Sequence, residues 1–442
     1  MAKRVVIIGG GFAGLSCARK LANNPNFKVT VLDKQNHHLF QPLLYQLASA
    51  TLAATDISRS LRGILSKAKN VSVFLDHVQD IDLKSQTVIG ADHSYEYDYL
   101  VIASGTRTSW FGNDQWEKHT IGLKNLHDAY RIRQRVLGNL ERAEIINDQE
   151  EQARLMTIVI VGGGPTGVEL AGSFEDLVQH ALRADFRCID PANLRTVLVQ
   201  SGDRILKGFP AEHSEYAKER LTDLGVEVML NDRVVDVQEG KVFLKSGQEI
   251  EAKTIIWAAG VQASRVTQCL EVEKDRAGRL VVSPDLSLPE YDNVFVAGDV
   301  ANCVDVNEVN VPGLAPAAVQ MGEHIAKNLK QEQKYENTVY DKDKISLRKP
   351  FMYWDKGIMA IVGRQIAVVS GGNLKLKGTF AWLAWLIIHI LFLIGFRNKL
   401  SVLLSWAFAY IQRKPGSRVF ALRETDPYFT KASTNSNPAE QG

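Results

Sequence analysis

One segment of the chain occurs twice. VVIIGGGFAGL at 5–15 returns as IVIVGGGPTGV at 158–168, and YDYLVIASGT at 97–106 is echoed by AKTIIWAAGV at 252–261. Two echoes at nearly the same offset mean that a whole folding unit is duplicated, not a short motif. Each copy opens with a β-branched run suited to a strand buried on both faces, followed by a glycine turn and a segment of helical period. With 442 residues, 45% apolar and 23% charged, the chain is long enough for about three globular domains, which excludes disorder and collagen-like repeats.

The fold class expected is α/β, with two Rossmann-like dinucleotide-binding domains. In Gly9-x-Gly11-x-x-Gly14 the first glycine makes a tight turn and the second admits a pyrophosphate. The third packs helix on strand, with the helix N-terminus facing the phosphates. Val29 to Leu32 reads as the next strand, and Asp33 at its end is placed to accept hydrogen bonds from a ribose. Gly162-x-Gly164-x-x-Gly167 repeats the pattern, but the matching strand, Thr196 to Val199, ends at Gln200. A neutral amide removes the repulsion that would exclude a 2′-phosphate, so Gln200 either admits NADPH or bonds the adenosine ribose of NADH.

The expected domains are 1–120 and 286–336, two parts of one dinucleotide-binding unit, with a second dinucleotide-binding unit at 121–285 between them. Strands and membrane-anchoring helices follow at 337–423, and 424–442 is a polar tail expected to be disordered. The longer crossover of the second unit is placed at Leu177 to Asp190.

Net charge is only +2, too weak to drive nucleic-acid binding. Its distribution is uneven, with eight basic residues and no Asp or Glu from Asn373 to Arg423. Within that stretch Thr379 to Phe396 is 18 residues free of Asp, Glu, Lys and Arg, about 27 Å as a helix. Basic residues bracket both ends of the run, which disfavours a single pass, and Leu400 to Ile411 is too short to return. Two helices lying in one interface fit better, with Trp382, Trp385 and Trp406 at headgroup level and basic residues toward anionic lipid. A soluble alternative is a dimer core. Deleting Lys375 to Gly442 is expected to free the protein from membranes and leave the upstream sites intact.

Four scattered cysteines, Cys17, Cys188, Cys269 and Cys303, give no C-x-x-C, so no disulfide framework, zinc site or iron–sulfur cluster is read. The first residues run directly into a strand pattern, with no signal peptide read. His37-His38 read as polar loop residues and not metal ligands.

The order GGGFAG, HHLFQPLLYQLA, YDYLVIASGT, GGGPTGVELAG, IIWAAGV, NVFVAGDVA and APAAVQ resembles the two-dinucleotide flavoproteins of glutathione-reductase-like fold, and within them the type II NADH dehydrogenases. The resemblance covers residues 3 to about 423. It implies non-covalent FAD at the first motif, NADH or NADPH at the second, and a membrane quinone as acceptor, without proton pumping. It places Asp33 on the adenosine ribose, Asp299 near the ribitol and pyrophosphate, and Pro42 and Leu43 beside the flavin. Ala103, Gly105 and Gly260, in the strand ends of the two echoes, fall against the dinucleotides. Glu169, read as lying in the first helical turn, faces nicotinamide and flavin; a carboxylate stabilised by the helix dipole is the plainer reading. Asp299 has a plainer reading too, as a helix N-cap. Gln320 would meet the quinone head group and Lys377 the flavin site, although Pro316 stands where the family pattern has another glutamine. A homodimer at the cytoplasmic face of the inner (plasma) membrane is also implied. Competing readings are a soluble-acceptor (ferredoxin or rubredoxin) reductase, a sulfide:quinone reductase, and a nucleotide-sensing membrane flavoprotein.

Overall fold

Both β-branched runs become central parallel strands. In this computed structural model residues 1–178, 182, 185–335, 347–412 and 418–420 are described. The first sheet runs, in spatial order, Ser287–Leu288, Tyr291–Val296, Tyr99–Ile102, Lys3–Ile8, Phe27–Asp33 and Val71–Leu75. All neighbours are parallel except the Ser287–Leu288 edge. Val5, Ile7, Val29, Val31 and Val101 are wholly inaccessible, because the helix Phe12–Leu21 and the antiparallel strands at 80–96 both pack on this parallel sheet.

The second sheet repeats the arrangement with Glu227–Met229, Arg195–Val199, Thr157–Val161 and Thr254–Trp257, all parallel. In each unit the strand before the glycine turn lies between the strand that follows the helix and the strand of the second echo. Each unit also carries a three-stranded antiparallel sheet just before that last strand, at 80–96 and 234–251. A ribbon of Thr106–Thr108 paired antiparallel with Val261–Ala263 joins the two units.

A third antiparallel sheet, Ile358–Gly363, Ile366–Gly371 and Leu374–Gly378, packs on the helix Pro165–Leu177 that follows the second glycine turn. The approach requires Gly172, where a Cβ would stand 1.7 Å from the Val362 carbonyl oxygen. Two helices follow, Thr379–Phe392 and Phe396–Gln412. Asn398 anchors the second by donating from Nδ2 to the carbonyls of Thr55, Asp56 and Ser58 at 3.0–3.1 Å. Ser401 Oγ adds a bond of 2.6 Å to Asp56 Oδ1. No helix among the described residues is long and apolar enough to cross a membrane.

The tryptophans depart from the expectation of headgroup contact. Trp385 is inaccessible and Trp406 nearly so; their ring centroids lie 5.5 Å apart, and Trp406 Nε1 donates to Gln46 Oε1 at 2.7 Å. Trp382 is partly buried and donates to the Tyr410 hydroxyl at 2.9 Å. Composition marked these helices as amphipathic, but tryptophan belongs to their inner face. The outer face is aliphatic and phenylalanine-rich: Phe380, Leu383, Ile387 and Leu391 on one helix, Phe396, Leu400, Leu404 and Phe408 on the other. The tail at 424–442 lies outside the described residues, as do 336–346 and part of the 177–190 crossover.

Candidate active site

At the first turn Gly9 has φ +103°, and a Cβ there would meet the Ala103 carbonyl oxygen at 2.3 Å. A Cβ on Gly14 would meet the Gly9 carbonyl oxygen at 1.9 Å, which is the close helix–strand approach the motif needs. Gly11 differs from both, since nothing lies within 4 Å of its Cβ position. It is the N-cap of the helix Phe12–Leu21 and supplies no side-chain cap. The free N–H groups of that helix end therefore face open space, as a pyrophosphate site requires. Asp33 Oδ2 accepts from Gly10 N at 2.5 Å, fixing the loop. Burial pushes the Asp33 carboxyl up, while the Gly10 and Gln35 N–H groups oppose the shift.

His38 corrects the loop reading. It lies in the strand His37–Leu39, is buried, and donates from Nδ1 to the Gly10 carbonyl at 3.0 Å with its ring edge-on to Phe12. Burial pushes its pKa down, so it supports the glycine loop as a neutral ring. No cluster of metal-ligating residues occurs among the described residues.

The second turn is built on the same plan. Gly162 has φ +111°, a Cβ on Gly167 would again meet the preceding glycine carbonyl at 1.9 Å, and Gly164 again has nothing within 4 Å. Gly164 caps Pro165–Leu177 without a side-chain bond. Gln200 Oε1 accepts from Gly163 N at 2.9 Å, doing for this loop what Asp33 does for the first. Gly260 sits under Phe111, whose Cζ would be 2.4 Å from a Cβ, and accepts from Ser109 N at 3.1 Å.

Between the turns, Gly105 takes φ +65° and accepts from Ser264 N at 3.0 Å. Asp299 follows the strand Tyr291–Val296 in a turn and starts no helix, so the N-cap reading fails. Its Oδ2 is 3.5 Å from Thr106 Oγ1, which in turn accepts from Lys124 Nζ at 3.3 Å. Burial lowers the Lys124 pKa and Asp299 raises it. This cation was not anticipated from the sequence, where it is one lysine before the helix Leu126–Ile145.

Pro42 and Leu43 lie in a 3-10 turn, Gln41–Leu43, leading into the helix Leu44–Ala48, with Leu43 fully buried. Glu169 is in the second turn of its helix and not the first, since the helix starts at Pro165. Burial pushes its carboxyl well above the usual range against the Ile361 N–H, so the dipole-stabilised carboxylate reading does not hold. Gln320 pairs with the Trp354 backbone, donating from Nε2 to its carbonyl and accepting its N–H, both at 3.0 Å. The amide thus holds a loop whose indole is 69% exposed beside the helix Thr379–Phe392, where Lys356 Nζ lies 5.1 Å from both the Trp354 and Phe392 rings. Lys377 is exposed, with Nζ 5.3 Å over the ring of Tyr216 on the helix Ala211–Leu224.

Two uncapped helix ends over glycine cradles, joined by a ribbon, define a flavoprotein that binds two dinucleotides. Residues 3–322 match the family described as pyridine nucleotide-disulphide oxidoreductase. The chain is 40% identical over 425 residues to the type II NADH:quinone oxidoreductase Ndh of Mycobacterium tuberculosis, covering 93% of this chain and 89% of that one. It is 27% identical to an internal alternative NAD(P)H-ubiquinone oxidoreductase A1, mitochondrial, of Arabidopsis thaliana, over 94% and 86% of the two chains. The fold also resembles NDH2 from Plasmodium falciparum in complex with NADH, with a TM-score of 0.85, 19% identity, and coverage of 94% of this chain and 99% of that one. The chain belongs to the type II NADH:quinone oxidoreductases.

Proposed function

We propose that this oxidoreductase takes a hydride from NADH at the second glycine turn, on FAD held at the first, and delivers two electrons to a membrane quinone. The observation that carries the reading is the pair of uncapped helix ends at Gly11 and Gly164, each with room for a pyrophosphate. FAD supplies the two-electron chemistry; the protein supplies orientation and access. Asp33 and Gln200 fix the phosphate loops and offer their remaining acceptor capacity to the riboses. Ala103, Gly105 and Gly260 keep side chains clear of the dinucleotides, and Pro42 and Leu43 wall the flavin. Asp299, through Thr106, holds Lys124 at the join of the units, where its charge favours a negative ligand. Glu169 serves the nicotinamide side and Gln320 the quinone side. Lys377, on the strand Leu374–Gly378, serves the flavin side.

The cysteines support an acceptor other than a disulfide or sulfide. Burial pushes the Cys17 and Cys303 thiols up to about 12, so neither is a nucleophilic thiolate at neutral pH. NADPH serves as a second donor through Gln200. The outer face of the two last helices lies in the plane of a bilayer, at the cytoplasmic face of the inner (plasma) membrane, and the active form is a homodimer. The decisive experiment is turnover by purified protein with both nicotinamides and several quinones. Absence of quinone turnover would sink the reading and favour nucleotide sensing at a membrane.

A further inference from the structure

The helix Pro165–Leu177 is buried on nearly every side. Beyond its exposed Pro165, its partly open positions are Thr166, Glu169, Ser173 and Asp176, spaced three, four and three. That spacing is one face of an α-helix, so a polar stripe runs about 10 Å from Glu169 to Asp176. Glu169 lies at the nucleotide end. Ser173 and Asp176 line a cavity, open to solvent, whose other walls include Tyr45, Ile361, Arg364 and Tyr410. Ile361 bonds Glu169 through its N–H and also lines the cavity, so Glu169 adjoins the cavity wall. Tyr45, on Leu44–Ala48, crosses the stripe and feels the charge of both Glu169 and Asp176. Its oxygen accepts from Gln46 Nε2 at 2.9 Å, which leaves its own O–H to donate.

The overall reaction, NADH + H⁺ + quinone → NAD⁺ + quinol, needs such a feature. A C–H bond of NADH breaks and supplies two electrons with one proton. The quinone gains those electrons and forms two O–H bonds, so one proton must come from water into a desolvated centre. We propose that Asp176, Ser173 and Glu169, with Tyr45 across them, form the path by which that proton enters. Asp176 takes a proton from the cavity and passes it along the stripe to Glu169, which holds it at the edge of the reacting centre. This assignment rests on the function proposed above.

The electrostatics suit a relay. Burial pushes the Asp176 carboxyl up to about 7, Arg364 opposes that shift, and Glu175 on the same helix adds to it. Tyr45 and Tyr410 face the cavity from the helices Leu44–Ala48 and Phe396–Gln412, and burial pushes both phenols up, so they stay protonated. Arg364, whose guanidinium also donates to the Tyr410 carbonyl, is the cation facing the carboxyl across the cavity.

Three reactions read the proposal in full-length protein: steady-state quinone turnover across pH, stopped-flow flavin reduction by NADH, and ferricyanide reduction, which takes electrons without protons. In the wild type, quinone turnover should fall as pH rises through about 7 and show a solvent isotope effect. Asp176→Asn should lose that break and slow quinone turnover about tenfold or more, with the other two reactions within about twofold. Asp176→Glu should restore turnover. Arg364→Gln should move the break to higher pH, because the cation that favours the carboxylate is gone. Quinone turnover of Asp176→Asn within about twofold of wild type at pH 8 overturns the relay, as does an equal fall in all three reactions. If Asp176→Asn does not fold, an unmoved break in Arg364→Gln does the same. A wild type that reduces ferricyanide but no quinone removes the parent reading instead.

Discussion

Gly11 and Gln200 test the two cradles with single changes. Gly11→Val fills the open space that faces the helix end, so the purified variant should lose most of its flavin absorbance while the sheet remains folded. Retention of full flavin would refute the assignment. Gln200→Glu keeps an oxygen for the Gly163 N–H and changes only charge, so the NADPH Michaelis constant should rise selectively, by about tenfold for a carboxylate beside a phosphate in a partly desolvated site. If the wild type oxidises no NADPH, that idea is wrong. The motif glycines were legible in the sequence because their requirement is local: a carbonyl 1.9 Å away forbids any Cβ at Gly14 and Gly167. Lys124 and Asp176 were not, because their environments are assembled from segments distant in the chain.

At the scale of elements, the loop around Trp354 and the helix Thr379–Phe392 carry separable predictions. Gln320→Ala removes both bonds to the Trp354 backbone, so quinone turnover should fall while flavin reduction by NADH stays near normal. Equal slowing of both steps would contradict that division. His389 is buried against Trp385, with its ring 4.0 Å from that indole and Nδ1 2.8 Å from the Trp385 carbonyl oxygen. Burial lowers its pKa to about 4. The unfolded chain therefore binds a proton that the folded one refuses, and stability falls as pH drops from about 6.5 toward 4, by up to about 3 kcal/mol. His389→Phe should flatten that part of a melting-temperature profile; an unchanged slope would assign it to other groups. Two uncharged apolar runs identified both helices, but could not tell inner face from outer. Indoles suit an interface by composition, yet here the N–H groups of Trp406 and Trp382 find Gln46 and Tyr410 inside the protein.

Across the whole molecule, that inner face alters how membrane binding must be tested. Deleting residues from Lys375 onward would remove a strand of the third sheet together with Trp385 and Trp406, and loss of a buried aromatic alone costs about 3–5 kcal/mol. The informative variant is Ile387→Glu with Leu404→Glu, both on the outer face. It should leave the melting temperature nearly unchanged and abolish pelleting with anionic liposomes; continued pelleting would show that these helices are not the anchor. Salt should weaken binding of the wild type only modestly, because Lys375 is already paired with Glu212 and Lys399 donates to the Leu391 carbonyl. Because the outer side of the last two helices cannot be cut away without opening the core, the chain leaves the ribosome with an exposed oily strip. Two copies meeting before they reach a bilayer would cover each other's strips instead. Overproduction is thus expected to yield inclusion bodies or mixed oligomers in proportion to the shortage of lipid or detergent, whatever the thermal stability of the finished enzyme.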